Sequence, residues 1–101
     1  AVRQRELDVE QEVRQAVREL DQIRKSVELQ RQSVEVAAQQ RRLAVLRYER
    51  GLGSNFDVVD AESSLVTARS ALVQLVTTYA VARLDLLRVT GTLDVEMEFQ
   101  R

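Results

Sequence analysis

Between Val2 and Arg50 the chain contains neither glycine nor proline. Nothing in that stretch breaks a helix, and its apolar residues recur with helical rather than strand spacing. Val13, Ala16, Leu20, Ile23, Val27, Gln30, Val34 and Ala37 follow one another at alternating steps of three and four. That is a heptad seam, with polar Gln30 as its one clear interruption. Arg, Glu and Gln occupy the other faces, including the i,i+4 pairs Glu10–Arg14 and Asp21–Lys25, which support a helix from its surface. At about 1.5 Å per residue such a helix is roughly 70 Å long. A compact domain of this size has a radius of gyration of only about 13 Å, so the spacing predicts an elongated object.

The break falls at Gly51-Leu52-Gly53-Ser54-Asn55. Gly51 suits the left-handed position that closes a helix, with Arg47 and Arg50 where cations favour a helix C-terminus. Ser54 is placed to cap the next helix, with Asp57 three residues on in a capping-box position. A second seam follows: Leu65, Ala68, Leu72, Leu75, Tyr79, Ala82, Leu86 and Val89. So short a link implies an antiparallel hairpin. The expected order is a long helix over 1–50, a tip turn over 51–55, a second helix over 56–90 and an exit segment over 91–101. Gly91 is read as the end of the second helix. Beyond it Leu93, Val95, Met97 and Phe99 alternate with polar residues, which reads as a short half-buried strand needing a sheet this chain does not contain. The fold class is therefore all-α, an antiparallel coiled-coil hairpin, with that C-terminal strand as an addition.

The second helix is more apolar than one partner requires. Val66, Val73, Val76, Ala80 and Leu87 form another stripe beside its seam. A two-helix hairpin covers one stripe per helix, so this one calls for another helix or subunit. The isolated chain is expected to self-associate.

Composition removes most chemistry. The 101 residues include no His and no Cys, so zinc fingers, thiol catalysis, a Ser–His–Asp relay and disulfides are excluded. Asp57 and Asp60 share a helical face, yet a slender hairpin supplies no cleft for a carboxylate pair to work in. We read no enzyme, no catalytic residue, no metal and no cofactor. Net charge is −1, divided as +2 over residues 1–50 and −3 over the rest, so no overall field draws the chain to nucleic acid. Arg41, Arg42 and Arg47 lack the interleaved aromatics of a nucleic-acid binder and read as a solvated face. Apolar runs are only a few residues long, far short of the roughly 20 of a spanning helix. An opening at Ala1, without a signal-peptide pattern, suggests processing or excision from a longer chain.

Taken in order, Tyr48-Glu49-Arg50-Gly51, Asn55-Phe56-Asp57-Val58-Val59-Asp60-Ala61-Glu62, Leu65, Ala68-Arg69, Tyr79, Ala82, Leu86 and Gly91-Thr92-Leu93 resemble the outer membrane efflux (TolC-like) family. The motifs span about residues 47–93, and residues 10–46 resemble the descending helix that precedes them. Gly-Thr-Leu is most similar to the end of that family's C-terminal repeat. The resemblance implies one hairpin of a several-fold longer protein, a trimer whose helical hairpins build a periplasmic α-barrel below an outer-membrane β-barrel in Gram-negative bacteria. It implies efflux or type I secretion, with the hairpin tip closing the entrance and docking a periplasmic adaptor, and indirectly an inner-membrane transporter. By the same resemblance Gly51, Leu52, Gly53 and Ser54 form the docking tip. Tyr48 matches a latch hydroxyl, and Asp57 and Asp60 match an acidic constriction. Gly53 departs from members that carry an Arg of the latch there.

Plainer readings stand beside these. The glycines serve an ordinary cap and turn, Asp57 caps its helix, Asp60 lies on a solvated face, and Tyr48 packs beside the turn. At the level of the whole chain the alternatives are a free-standing structural coiled-coil spacer and a small self-associating helical module.

Overall fold

The computed structural model describes residues 2–99, with side chains described for 3–91 and for Glu98. Two helices account for nearly all of it: α1 over Val2–Glu49 and α2 over Asn55–Phe99. The chain divides into two compact units, one formed by α1 up to Lys25 with α2 from Thr77, the other by Ser26–Val76.

In the Ser26–Val76 unit the two helices are antiparallel and meet along the heptad seam. Val27, Ala37 and Leu65 are its buried residues, Leu65 retaining 5% of its accessible surface. Gln30, Val34, Ala68, Leu72 and Leu75 are half-buried beside them, and towards the turn Ala44, Val45, Val58 and Ala61 continue the contact. Gln30 turns its amide across the seam, and Nε2 donates to the carbonyl of Ala68 at 3.0 Å. The interruption in the seam is thus a hydrogen bond linking the helices, and a polar group that would be costly to enclose unpaired has its partner. Arg41 Nη2 and Glu62 Oε1 form a second cross-link at 3.4 Å, closer to the turn.

In the other unit Val13, Ala16, Leu20 and Ile23 of α1 and Tyr79, Ala82 and Leu86 of α2 are half-buried, with Val89 buried. Surface ion pairs decorate it: Glu10 with Arg14 at 2.9 Å, Asp21 with Arg24 at 2.9 Å and Lys25 at 3.3 Å, and Asp85 with Arg88 at 2.9 Å. Both i,i+4 pairs expected from the sequence are present. The Arg24 and Lys25 hydrogen bonds hold the Asp21 carboxyl below its ordinary value of 3.8.

Two expectations need correction. Gly91 does not end α2, and residues 93–99 do not form a strand; the helix runs through Gly91 to Phe99. A strand needs a neighbour to receive its backbone hydrogen bonds, and among the described residues there is none. A helix satisfies those groups internally. Gly91 has no positive φ, so it takes part as an ordinary helical residue.

The second stripe of α2 lies on the surface, as its spacing implied: Val66, Val73, Val76, Ala80 and Leu87 are all exposed. Over Asn55–Gly91 α2 is by length and composition apolar enough to cross a membrane, its most apolar stretch having a mean hydropathy of 1.3. The short apolar runs conceal this, because the apolar residues are spread over two faces instead of strung together. One face packs on α1 and the other is open, which is the pattern of a helix made to be flanked on two sides.

The hairpin tip

Helix α1 ends in a Schellman motif. The Leu52 N–H donates to the Arg47 carbonyl at 2.7 Å and the Gly51 N–H to the Tyr48 carbonyl at 3.0 Å, the paired bonds that define it. Gly51 is the residue in the left-handed region, with φ of 73°, and among the described residues no other has positive φ. Here the absence of a Cβ is required by backbone geometry alone, because a methyl at Gly51 would meet nothing within 4 Å. Gly53 is small for a different reason. A Cβ there would sit 3.3 Å from Arg47 Cβ and 3.6 Å from Asp57 Oδ2, so the turn lies directly on the last turn of α1.

Helix α2 starts with a reciprocal capping box. Ser54 Oγ accepts from the Asp57 N–H at 3.2 Å, and Asp57 Oδ2 accepts from the Ser54 N–H at 3.2 Å. Each helix end thereby satisfies backbone groups that would otherwise be orphaned. A five-residue connection, 50–54, is locked at both ends by local chemistry.

That rigid turn holds apolar side chains in water. Leu52 is 77% exposed and Phe56 76%, with Val59 and Tyr48 about half exposed. Leu52 belongs to the tip as expected. Phe56 and Val59 had been given no role, although both lie inside the recognisable motif. Charges surround the patch. Arg47 and Arg50 come from the α1 side, Asp60 from the α2 side, and none of the three makes an ion pair among the described residues. Asp57 Oδ2 is engaged in the capping bond, and Asp60 lies one turn farther along the same face. Tyr48 makes no side-chain hydrogen bond among the described residues. Among those same residues no group of three or more acidic, His or Cys side chains comes together as a metal site.

A second surface feature lies farther up α1. Leu29, Gln32, Ser33, Val36, Ala37 and Gln40 line an open groove of about 420 Å³. Apart from Ala37, which belongs to the seam, these positions lie off it and were given no role.

Compared with known families, the chain matches the family model described as outer membrane efflux protein over residues 1–92. It belongs to the outer membrane efflux protein family. No curated protein and no solved structure gives a significant match. The match covers both helices and the turn, so the order of motifs that first suggested this family and the geometry of the tip belong to one element. The chain is a component of an outer-membrane efflux channel, in a family of trimeric transport channels that work with adaptor proteins and is not a family of enzymes.

Proposed function

We propose that this chain is a periplasmic hairpin of a trimeric outer-membrane channel for efflux or type I secretion in a Gram-negative bacterium. Its tip forms the channel entrance and docks the tip of a periplasmic adaptor, through which an inner-membrane transporter is engaged. The observation that carries this reading is the pairing of a locked turn with exposed Leu52 and Phe56. Large apolar side chains on a rigid tip cannot withdraw from water, and burying one fully is worth about 1.5–3 kcal/mol. Gly51 leaves open backbone beside them, where a partner can approach closely.

The remaining tip residues divide the entrance chemistry. Asp60 projects into solvent, and with Asp57 one turn away it contributes carboxylates that a trimer would repeat into an acidic ring favouring cations. The Tyr48 hydroxyl supplies a latch donor. Gly53 supplies no guanidinium, so a latch in this protein draws its cation from elsewhere.

Because the chain contains no cysteine, a single thiol can report contacts. In the intact channel, Leu52→Cys should crosslink to the adaptor, while Glu35→Cys, exposed on mid-α1, should not. Self-crosslinks at both positions with no adaptor captured at 52 would refute tip docking and favour the structural spacer.

A further inference from the structure

The charges of α2 leave a long gap. Between Glu62 and Arg83 lie twenty residues, 63–82, and only Arg69 among them is charged. In α1 no stretch between charged residues is longer than five, residues 36–40. Twenty helical residues span about 30 Å, the thickness of the hydrocarbon core of a bilayer. The most apolar part of α2 has a mean hydropathy of 1.3. That apolarity does not belong to an enclosed core, since Leu65 alone of residues 63–82 is buried.

Few groups in the stretch would be rejected by lipid. Serine and threonine hydroxyls in a helix bond the carbonyl four residues back, as Ser33 does to Leu29 at 3.3 Å and Thr90 to Leu86 at 2.8 Å. Tyr79 lies near the end of the stretch, where a membrane interface suits it. The Arg69 guanidinium and the Gln74 amide are left. Along the helix axis Arg69 lies about 9 Å inside the stretch and Gln74 within about 3 Å of its midpoint. Arg69 is exposed and makes no ion pair among the described residues, so packing within the hairpin does not call for a charge there.

The flanks favour retention in a membrane. From Gly51 to Glu62 there is no basic residue, whereas Arg83 and Arg88 follow the stretch, the latter paired with Asp85. Basic residues on the C-terminal side match the positive-inside rule for a segment that stops in the inner membrane with its N-terminal end outside. In that orientation Arg69 lies in the outer half, the side from which positive charge is depleted. One such charge at a helix centre offsets about six Val or Leu side chains. The stretch holds seven of them.

We propose that Arg69, backed by Gln74, keeps α2 from lodging in the inner membrane while the chain is exported. A chain threaded unfolded through that membrane presents each stretch to lipid before any partner helix covers it, and the polar groups at 69 and 74 make release the favoured outcome. Once the hairpin has folded, both side chains lie on its surface. The assignment rests on the periplasmic reading, because only a chain that crosses the inner membrane needs such a guard.

The test exports the 101-residue chain behind a cleavable signal sequence, with alkaline phosphatase, active only outside the cytoplasm, joined to its C-terminus. The parent chain and Gln74→Leu should deliver active phosphatase and be extracted by carbonate. Arg69→Leu/Gln74→Leu should lose phosphatase activity severalfold and leave the chain in carbonate-resistant inner membrane, a location that misfolding after export does not produce. The matched change on α1, Arg31→Leu/Gln32→Leu, should behave as the parent chain. Export of Arg69→Leu/Gln74→Leu at the parent level would overturn the proposal, as would equal retention of Gln74→Leu alone or of the α1 pair. Because the signal is supplied, this assay reads the membrane step alone. Adaptor capture at Leu52 in the intact channel is a separate result, so failure of the guard and failure of the docking reading are distinguishable.

Discussion

Replacing Gly51 by alanine isolates one physical quantity. The site has φ of 73° and open space where the new methyl would lie, so no clash contributes and the penalty is that of the left-handed backbone alone. For an L-residue that is about 1–2 kcal/mol. Alanine also restricts the unfolded chain, which offsets about 0.4–1 kcal/mol. The net loss should be near 1 kcal/mol, or a fall in Tm of about 4–8 °C for a chain of this length. Asparagine, which tolerates this region, should lose clearly less. Thermal melts followed by far-ultraviolet circular dichroism at one fixed protein concentration measure the difference, the concentration being held because association shifts Tm. If Gly51→Ala melts with the parent protein, or Gly51→Asn loses as much as alanine, the Schellman account of the turn is wrong.

Gly91→Ala should act in the opposite direction, raising stability by about 0.5–1 kcal/mol, because an interior helical glycine is replaced by the best helix former; a destabilised variant would mean that the helix ends there after all. Leu65→Ala, which empties the most buried seam position, should destabilise by about 2–5 kcal/mol in denaturant titration. Val66→Ala, one residue along and 61% exposed, should stay within about 0.5 kcal/mol in dilute solution. Asp21 is held below its ordinary value of 3.8 by Arg24 and Lys25, so its contribution is complete above 3.8 and is lost as pH falls through the lowered value. Asp21→Asn should accordingly be less helical than the parent protein at neutral pH and indistinguishable from it in strong acid, which an acid titration of helicity would check.

Much of the tip was legible because its chemistry is local. A Schellman glycine needs only its own φ, and a Ser-x-x-Asp box joins residues three apart, so Gly51, Ser54 and Asp57 could be assigned from spacing. The seams were legible for a similar reason: a period near 3.5 names one face without reference to any partner. Residues 93–99 misled because alternation of apolar and polar side chains describes a strand only where a sheet exists to receive it. Phe56 and the Leu29–Val36 groove escaped notice because exposure is a property of what does not cover a residue, which no residue's own identity reveals.

The amino-acid order by itself determined two helices, the turn between them, the apolar stripes and the family, since each follows from short-range periodicity or from motifs in a fixed order. Only the tertiary structure decided the register of one helix on the other. That register rests on contacts between residues distant in sequence, Gln30 with the Ala68 carbonyl and Arg41 with Glu62. Sliding one helix along its partner by a heptad would preserve every apolar period, so periodicity cannot select the register. The five-residue turn, locked at both ends, limits such a slide, and those two polar contacts mark the register that it leaves.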